Sequence, residues 1–138
     1  PGRWTPIKIG NGKQALLTTG ATLGLAMELS FVPELSAFDV MSLPIWSANC
    51  KRAQDIYFEK YETIITLEDH LAAGGFGSWL NESLNESSKR YEVETACIAL
   101  NQNVCGTVGN QDILNEFGGL SKSKVLNQIK TRFGYLLR

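Results

Sequence analysis

Glu68, Asp69 and His70 stand together at the end of the apolar run Thr63-Ile64-Ile65-Thr66-Leu67, and Gly74-Gly75-Phe76-Gly77-Ser78 follows four residues on. Two carboxylates beside an imidazole are the groups that acid–base catalysis uses, and carboxylate neighbours can tune a histidine toward neutrality. Adjacent strand residues point to opposite sides, however, so proximity in sequence does not make a dyad. The competing reading is that Glu68 and His70 bond to backbone at a sheet edge or across a domain interface. No serine, cysteine or lysine has a visible activating base, and no G-x-S-x-G turn occurs.

The glycine cluster invites a phosphate reading. It is neither G-x-G-x-x-G nor a G-x-x-x-x-G-K-[ST] loop, although free amides at a helix start bind anions. The alternative is steric: Gly74, Gly75 and Gly77 let a helix pack close to the sheet and to a neighbouring subunit. The candidate anion or interface residues are Gly20, Thr22, Glu68, His70, Gly74, Gly75, Gly77 and Ser78.

These residues need elements to hold them. Thr63–Leu67 reads as a buried strand ending at Glu68, with a helix resuming from Ser78. Upstream, Pro1–Thr5 is an irregular lead-in. Gly10-Asn11-Gly12 predicts a hairpin joining an antiparallel edge strand at 6–9 to a central strand at 14–19. Thr22 is placed to cap a helix with Leu23, Ala26 and Met27 on one face, which Pro33 ends. A strand over 38–43 and a helix over 48–61 follow, the helix capped by Ser47 and turning Cys50, Ala53 and Tyr57 inward. Glu94–Leu100 is a further strand, and 101–110 is a loop. A short helix covers 111–117, and Gly118-Gly119 break it. Ser121 caps a last helix striped by Val125, Leu126, Ile129 and Phe133. Alternating strands and helices after the first hairpin predict an α/β fold: a mostly parallel five-stranded sheet with one antiparallel edge strand, covered on both faces.

The 138 residues fit one domain, and 43% apolar with 20% charged residues describes a folded globule. A net charge of −1 gives no basic surplus for a nucleic acid or acidic lipid. No apolar run is long enough to cross a bilayer, and no secretory leader opens the chain, so a cytoplasmic setting is expected. Pro1 in place of Met suggests a piece of something longer. Cys50, Cys97 and Cys105 lack zinc or disulfide spacing and read as reduced core thiols. The two Asn-Glu-Ser sequons at Asn81 and Asn85 read as chance without a secretory route.

The string Ile65-Thr66-Leu67-Glu68-Asp69-His70, then Gly74-Gly75-Phe76-Gly77-Ser78, resembles the signature of the C-terminal domain of transketolase and related thiamine diphosphate-dependent enzymes. Those relatives include deoxyxylulose-phosphate synthase and the β subunits of 2-oxoacid dehydrogenases. The likeness extends from Gly12-Lys13 and Thr19-Gly20 to Gly109-Asn110-Gln111-Asp112 and Gly119-Leu120-Ser121, nearly the whole chain. Pro44-Ile45-Trp46-Ser47 departs from the family's Pro-Leu-Asp type step, and the segment before Phe38 is irregular for it.

The resemblance implies a three-layer α/β/α sandwich that is not itself catalytic. It implies architecture and dimer contacts for an enzyme that moves a two-carbon ketol unit between sugar phosphates. Thiamine diphosphate and a divalent cation would sit in cofactor-binding domains, in the same chain or a separate subunit, and this chain alone would be inactive. Two other readings stay open at this point. One is an independent module binding a small anion or nucleotide at a cleft formed by Gly20-Ala21-Thr22 and Glu68–Ser78. The other is an enzyme using His70.

Overall fold

A computed structural model describes residues 1–137. The elements in chain order are β1 (Thr5–Lys8), β2 (Gln14–Thr18), α1 (Leu23–Ser30), β3 (Asp39–Ser42), α2 (Asp55–Lys60) and β4 (Thr63–Leu71). After them come α3 (Phe76–Asn85), β5 (Glu94–Leu100), α4 (Gln111–Gly118) and α5 (Lys122–Phe133). The sheet order is β1-β3-β2-β4-β5, with β1 antiparallel to β3 and every other pair parallel.

Strand alternation divides the core into two layers. Leu16, Val40, Ile65 and Leu67 face α1 and α5, where they meet Leu29, Val125, Ile129 and Phe133. Ala15, Leu17, Met41 and Ile64 face the other way, against Cys50, Phe58, Phe76, Trp79 and Leu80. The result is the three-layer α/β/α architecture, and with helices on both faces all five residues of β2 are buried, including Gln14 and Thr18.

The edge strand is present, but its partner is β3, not β2. Asn11-Gly12 does not close a hairpin. The amides of Gly10 and Gly12 donate to Asp39 Oδ1 at 2.7 and 3.2 Å, and Asn11 N–H donates to Ala37 O at 2.7 Å, so the turn wraps over the entrance to β3. A side chain on Gly10 would strike the carbonyl of Ala37, which makes glycine obligatory there. Asp39 is fully buried, and Tyr61 Oη also donates to it at 2.8 Å. Burial opposes its charge, yet the bonds from Tyr61, Gly10 and Gly12 with nearby Lys60 hold the carboxyl below its usual range.

The lead-in is irregular up to Trp4, as expected, but it is anchored to the core. Trp4 is buried, its indole N–H donates to Gln54 at 2.7 Å, and its ring stacks on Tyr57 at 4.2 Å. Thr5 already belongs to β1. In the segment read as one helix over 48–61, residues Ala48–Gln54 form 3₁₀ turns before α2 begins. Cys50, Gln54 and Phe58 turn inward, while Ala53 is exposed. Neither Thr22 nor Ser47 nor Ser121 makes a side-chain cap bond. The cysteines are free, with Cys50 buried, Cys97 half-buried and Cys105 exposed rather than in the core. Asn81 and Asn85 both lie in α3, and Asn81 accepts from Thr95 Oγ1 at 2.6 Å.

Candidate functional site

Four parallel strands deliver their carboxyl ends to one edge of the sheet. The chain leaves β2 for β3 on one side and later returns to β4 on the other, so the ends of β2 and β4 form the switch point where such sheets open a crevice. Gly20, at φ 60°, takes the left-handed conformation that lets the chain turn there. Thr22 is buried, and its hydroxyl donates to Leu67 O at 2.8 Å with Thr19 O 3.1 Å away. Thr22 thus ties the turn to β4 and offers nothing to a ligand.

β4 does not stop at Leu67. It runs through Glu68, Asp69 and His70 to Leu71, its register against β5 shifting between Leu67 and Leu71. Continued alternation puts Glu68 and His70 on one face and Asp69 on the other. Glu68, with no exposed surface, is the hub of its face. Its Oε2 accepts the amide N–H of Phe76 at 2.6 Å, and its Oε1 accepts that of Gly77 at 3.0 Å. The Cys97 thiol donates to Oε1 at 2.9 Å, and His70 Nδ1 lies 3.3 Å from Oε2. A carboxylate at the start of α3 satisfies two orphan amides and complements the helix dipole. Charged residues continue the strand because remote amides satisfy the buried acid.

The glycines make room for this arrangement. A Cβ on Gly75 would overlap Glu68 Oε2 and lie 2.8 Å from Leu71 O, and one on Gly77 would lie 2.5 Å from Cys97 Sγ and 2.8 Å from Thr66 Oγ1. Gly74 has φ 71°, which turns the chain into the helix. Ser78 Oγ donates to Ala72 O at 2.7 Å, closing the turn on itself, and α3 starts at Phe76 rather than Ser78. Of the eight candidate residues, Glu68, His70, Gly75 and Gly77 meet in one cluster. Gly74 and Ser78 shape its turn, while Gly20 and Thr22 belong to the neighbouring strand end.

Cys97 and Trp46 belong to this neighbourhood and no sequence signal marked them. Cys97 is brought in by pairing opposite Thr66, and burial together with its bond to Glu68 pushes its thiol up to about 12. It stays protonated at neutral pH and is no nucleophile. Trp46 packs on Phe76 and Trp79 at ring distances of 5.4 and 5.5 Å.

On the opposite face, a cleft of about 440 Å³ lies between α1, α4 and the start of α5. Glu28, Asp69, Asp112 and Glu116 line it with Lys122 as the single cation; Lys124, outside the lining, pairs with Glu116 at 3.0 Å. Such a surface repels phosphates. It does not fit thiamine diphosphate, and its charge runs against an anion or nucleotide. Among the described residues no three His, Cys, Asp or Glu side chains gather in a way that could hold a metal ion.

No family model matches the chain, and no curated protein matches it. Among solved structures it is similar to a chain described as "Split gene transketolase, inactive beta4 tetramer", with a TM-score of 0.73 and 22% identity. The alignment covers 100% of this chain and 44% of that one, so this chain spans less than half of its neighbour's length. At that identity the likeness establishes a transketolase-like fold.

Proposed function

We propose that this chain is a non-catalytic domain or subunit of the C-terminal type in a transketolase-type thiamine diphosphate enzyme, serving architecture and contacts between subunits. The observation that carries the reading is the full-length fold likeness to a split-gene transketolase chain. The use of Glu68 supports it: the one buried acid of the signature is occupied with α3, Cys97 and His70 and has no exposed oxygen for a substrate. Under this reading the cofactor and its divalent cation lie in the pyrimidine- and diphosphate-binding parts of the enzyme, in the same chain or a separate subunit. The parent enzyme moves a two-carbon ketol unit between sugar phosphates, works as a homodimer of such units and resides in the cytoplasm. A deoxyxylulose-phosphate synthase or 2-oxoacid dehydrogenase parent would use the same domain in the same way.

The test is reconstitution. This chain is produced together with the polypeptide encoded immediately upstream, whether in the same reading frame or the next. Ketol transfer is expected only from the combination, with the two parts sedimenting as one species. A combination that neither assembles nor transfers a ketol unit rejects the proposal.

A further inference from the structure

The face of β4 that carries His70 opens onto a notch of about 330 Å³, lined by Trp46, His70, Leu71, Ala73, Gly74 and Gly75. Its walls are mostly apolar, and its volume suits one long side chain. Three separate observations define what that side chain should be.

The first is the orientation of the imidazole. His70 is 54% exposed, yet its Nδ1 lies 3.3 Å from the fully buried Glu68. Glu68 Oε2 already accepts the Phe76 amide, so the group facing it at Nδ1 is best matched as a donor. Nε2 then faces outward as an acceptor, held in place before any partner arrives. The second is the indole of Trp46, half-buried against Phe76 and Trp79, which forms a fixed aromatic wall. The third is charge. Asp69 Oδ1 lies 3.9 Å from His70 Nε2, and among the described residues no lysine or arginine pairs with either. Asp69 also lines the cleft on the opposite face, whose other carboxylates add negative potential at the carboxyl edge of the sheet that both faces share.

We infer that this notch receives an arginine side chain from a partner protein, stacked on Trp46 with guanidinium N–H groups donating to His70 Nε2 and Asp69. A planar guanidinium supplies several donors in a fixed fork and stacks on aromatic faces, which an ammonium does less well. A preset acceptor and a rigid aromatic wall lower the cost of ordering the contact, as in interface hot spots. Placing that arginine on the cofactor-binding polypeptide rests on the proposed function; the notch chemistry does not.

The sequence contains one histidine, so its ring resonances are unambiguous. Titrating the full chain with N-acetyl-arginine amide should move the His70 ring signals saturably. The neutral isostere N-acetyl-citrulline amide should not, and both Trp46→Leu and Asp69→Asn should weaken the arginine response. Asp69→Asn keeps the test open if Trp46→Leu does not fold. Equal responses to arginine and citrulline, or none at the highest soluble concentration, overturn the inference. In the reconstituted assembly, His70→Ala should weaken association by about tenfold. Wild-type affinity there overturns the arginine contact while the proposed function stands. Failure of the unmodified parts to assemble rejects the proposed function, and the arginine titration still decides the notch.

Discussion

Glu68 Oε2 and the amide nitrogen of Phe76 lie 2.6 Å apart, although they are eight positions apart in the chain and the glycine turn at Gly74-Gly75 lies between them. That bond, with its companion from Gly77 to Oε1, fastens the start of α3 to the end of β4. A signature that reads as acid–base chemistry is used to close a strand–turn–helix corner.

Removing the acceptor should therefore cost stability. Glu68→Ala leaves two amides buried and unpaired, and the expected loss is about 2–5 kcal/mol in urea unfolding. Glu68→Gln keeps the shape but turns an NH₂ toward a donor, for a loss of about 1–3 kcal/mol. A Gln variant as stable as the parent would show that the amides do not depend on the acid.

Two helix glycines should respond with opposite signs to the same change. Gly24 in α1 has open space where a Cβ would go, so Gly24→Ala should stabilise by about 0.5–1 kcal/mol. Gly77 in α3 would place its Cβ 2.5 Å from Cys97 Sγ, so Gly77→Ala should destabilise by about 1–3 kcal/mol. Helix propensity alone predicts a gain at both, and chemical denaturation of the two variants separates the explanations.

Much of this corner was legible because local and tertiary signals agree. The β-branched run Thr63–Thr66 is strand in any setting that buries it. Glu94–Leu100 is the observed β5 to the residue, and the stripe Val125, Ile129 and Phe133 faces the core. What escaped depended on distant partners. Asn11-Gly12 is a good hairpin turn, yet the acceptors that hold it, Asp39 and Ala37, lie more than twenty residues away. Glu68 looked like a strand's polar end because its charge is satisfied only by amides beyond the glycine turn. Of the residues after Ser47 expected to turn inward, Cys50 is buried and Tyr57 packs on the core, whereas Ala53 is exposed because 3₁₀ turns over Ala48–Gln54 shift the phase. For the site, the residue types were visible, but the shared face of Glu68 and His70 required β4 to continue, and Cys97 required the register with β5.

Stability should fall on both sides of neutrality for identifiable reasons. The Cys97 thiol is raised in the fold, so its contribution is complete below the unfolded thiol value of about 8.5 and declines as pH rises toward about 12. Tyr61, raised by burial and by Asp39, adds to the decline above about pH 10. Asp39 is lowered in the fold, so its contribution is present above about pH 4 and is lost as pH falls through its folded value. Urea midpoints measured from pH 3 to 10.5 should show this dome. Cys97→Ser, which keeps a donor to Glu68 without titrating, should flatten the slope between about pH 8.5 and 10. An unchanged slope would remove Cys97 from the explanation.

The claim that matters most is that these 138 residues supply structure and leave cofactor binding to other polypeptide. Calorimetric titration of the chain alone with thiamine diphosphate and Mg²⁺ tests it most directly. The account predicts no saturable heat, in keeping with the acidic cleft and the occupied Glu68; saturable binding at micromolar concentration contradicts it.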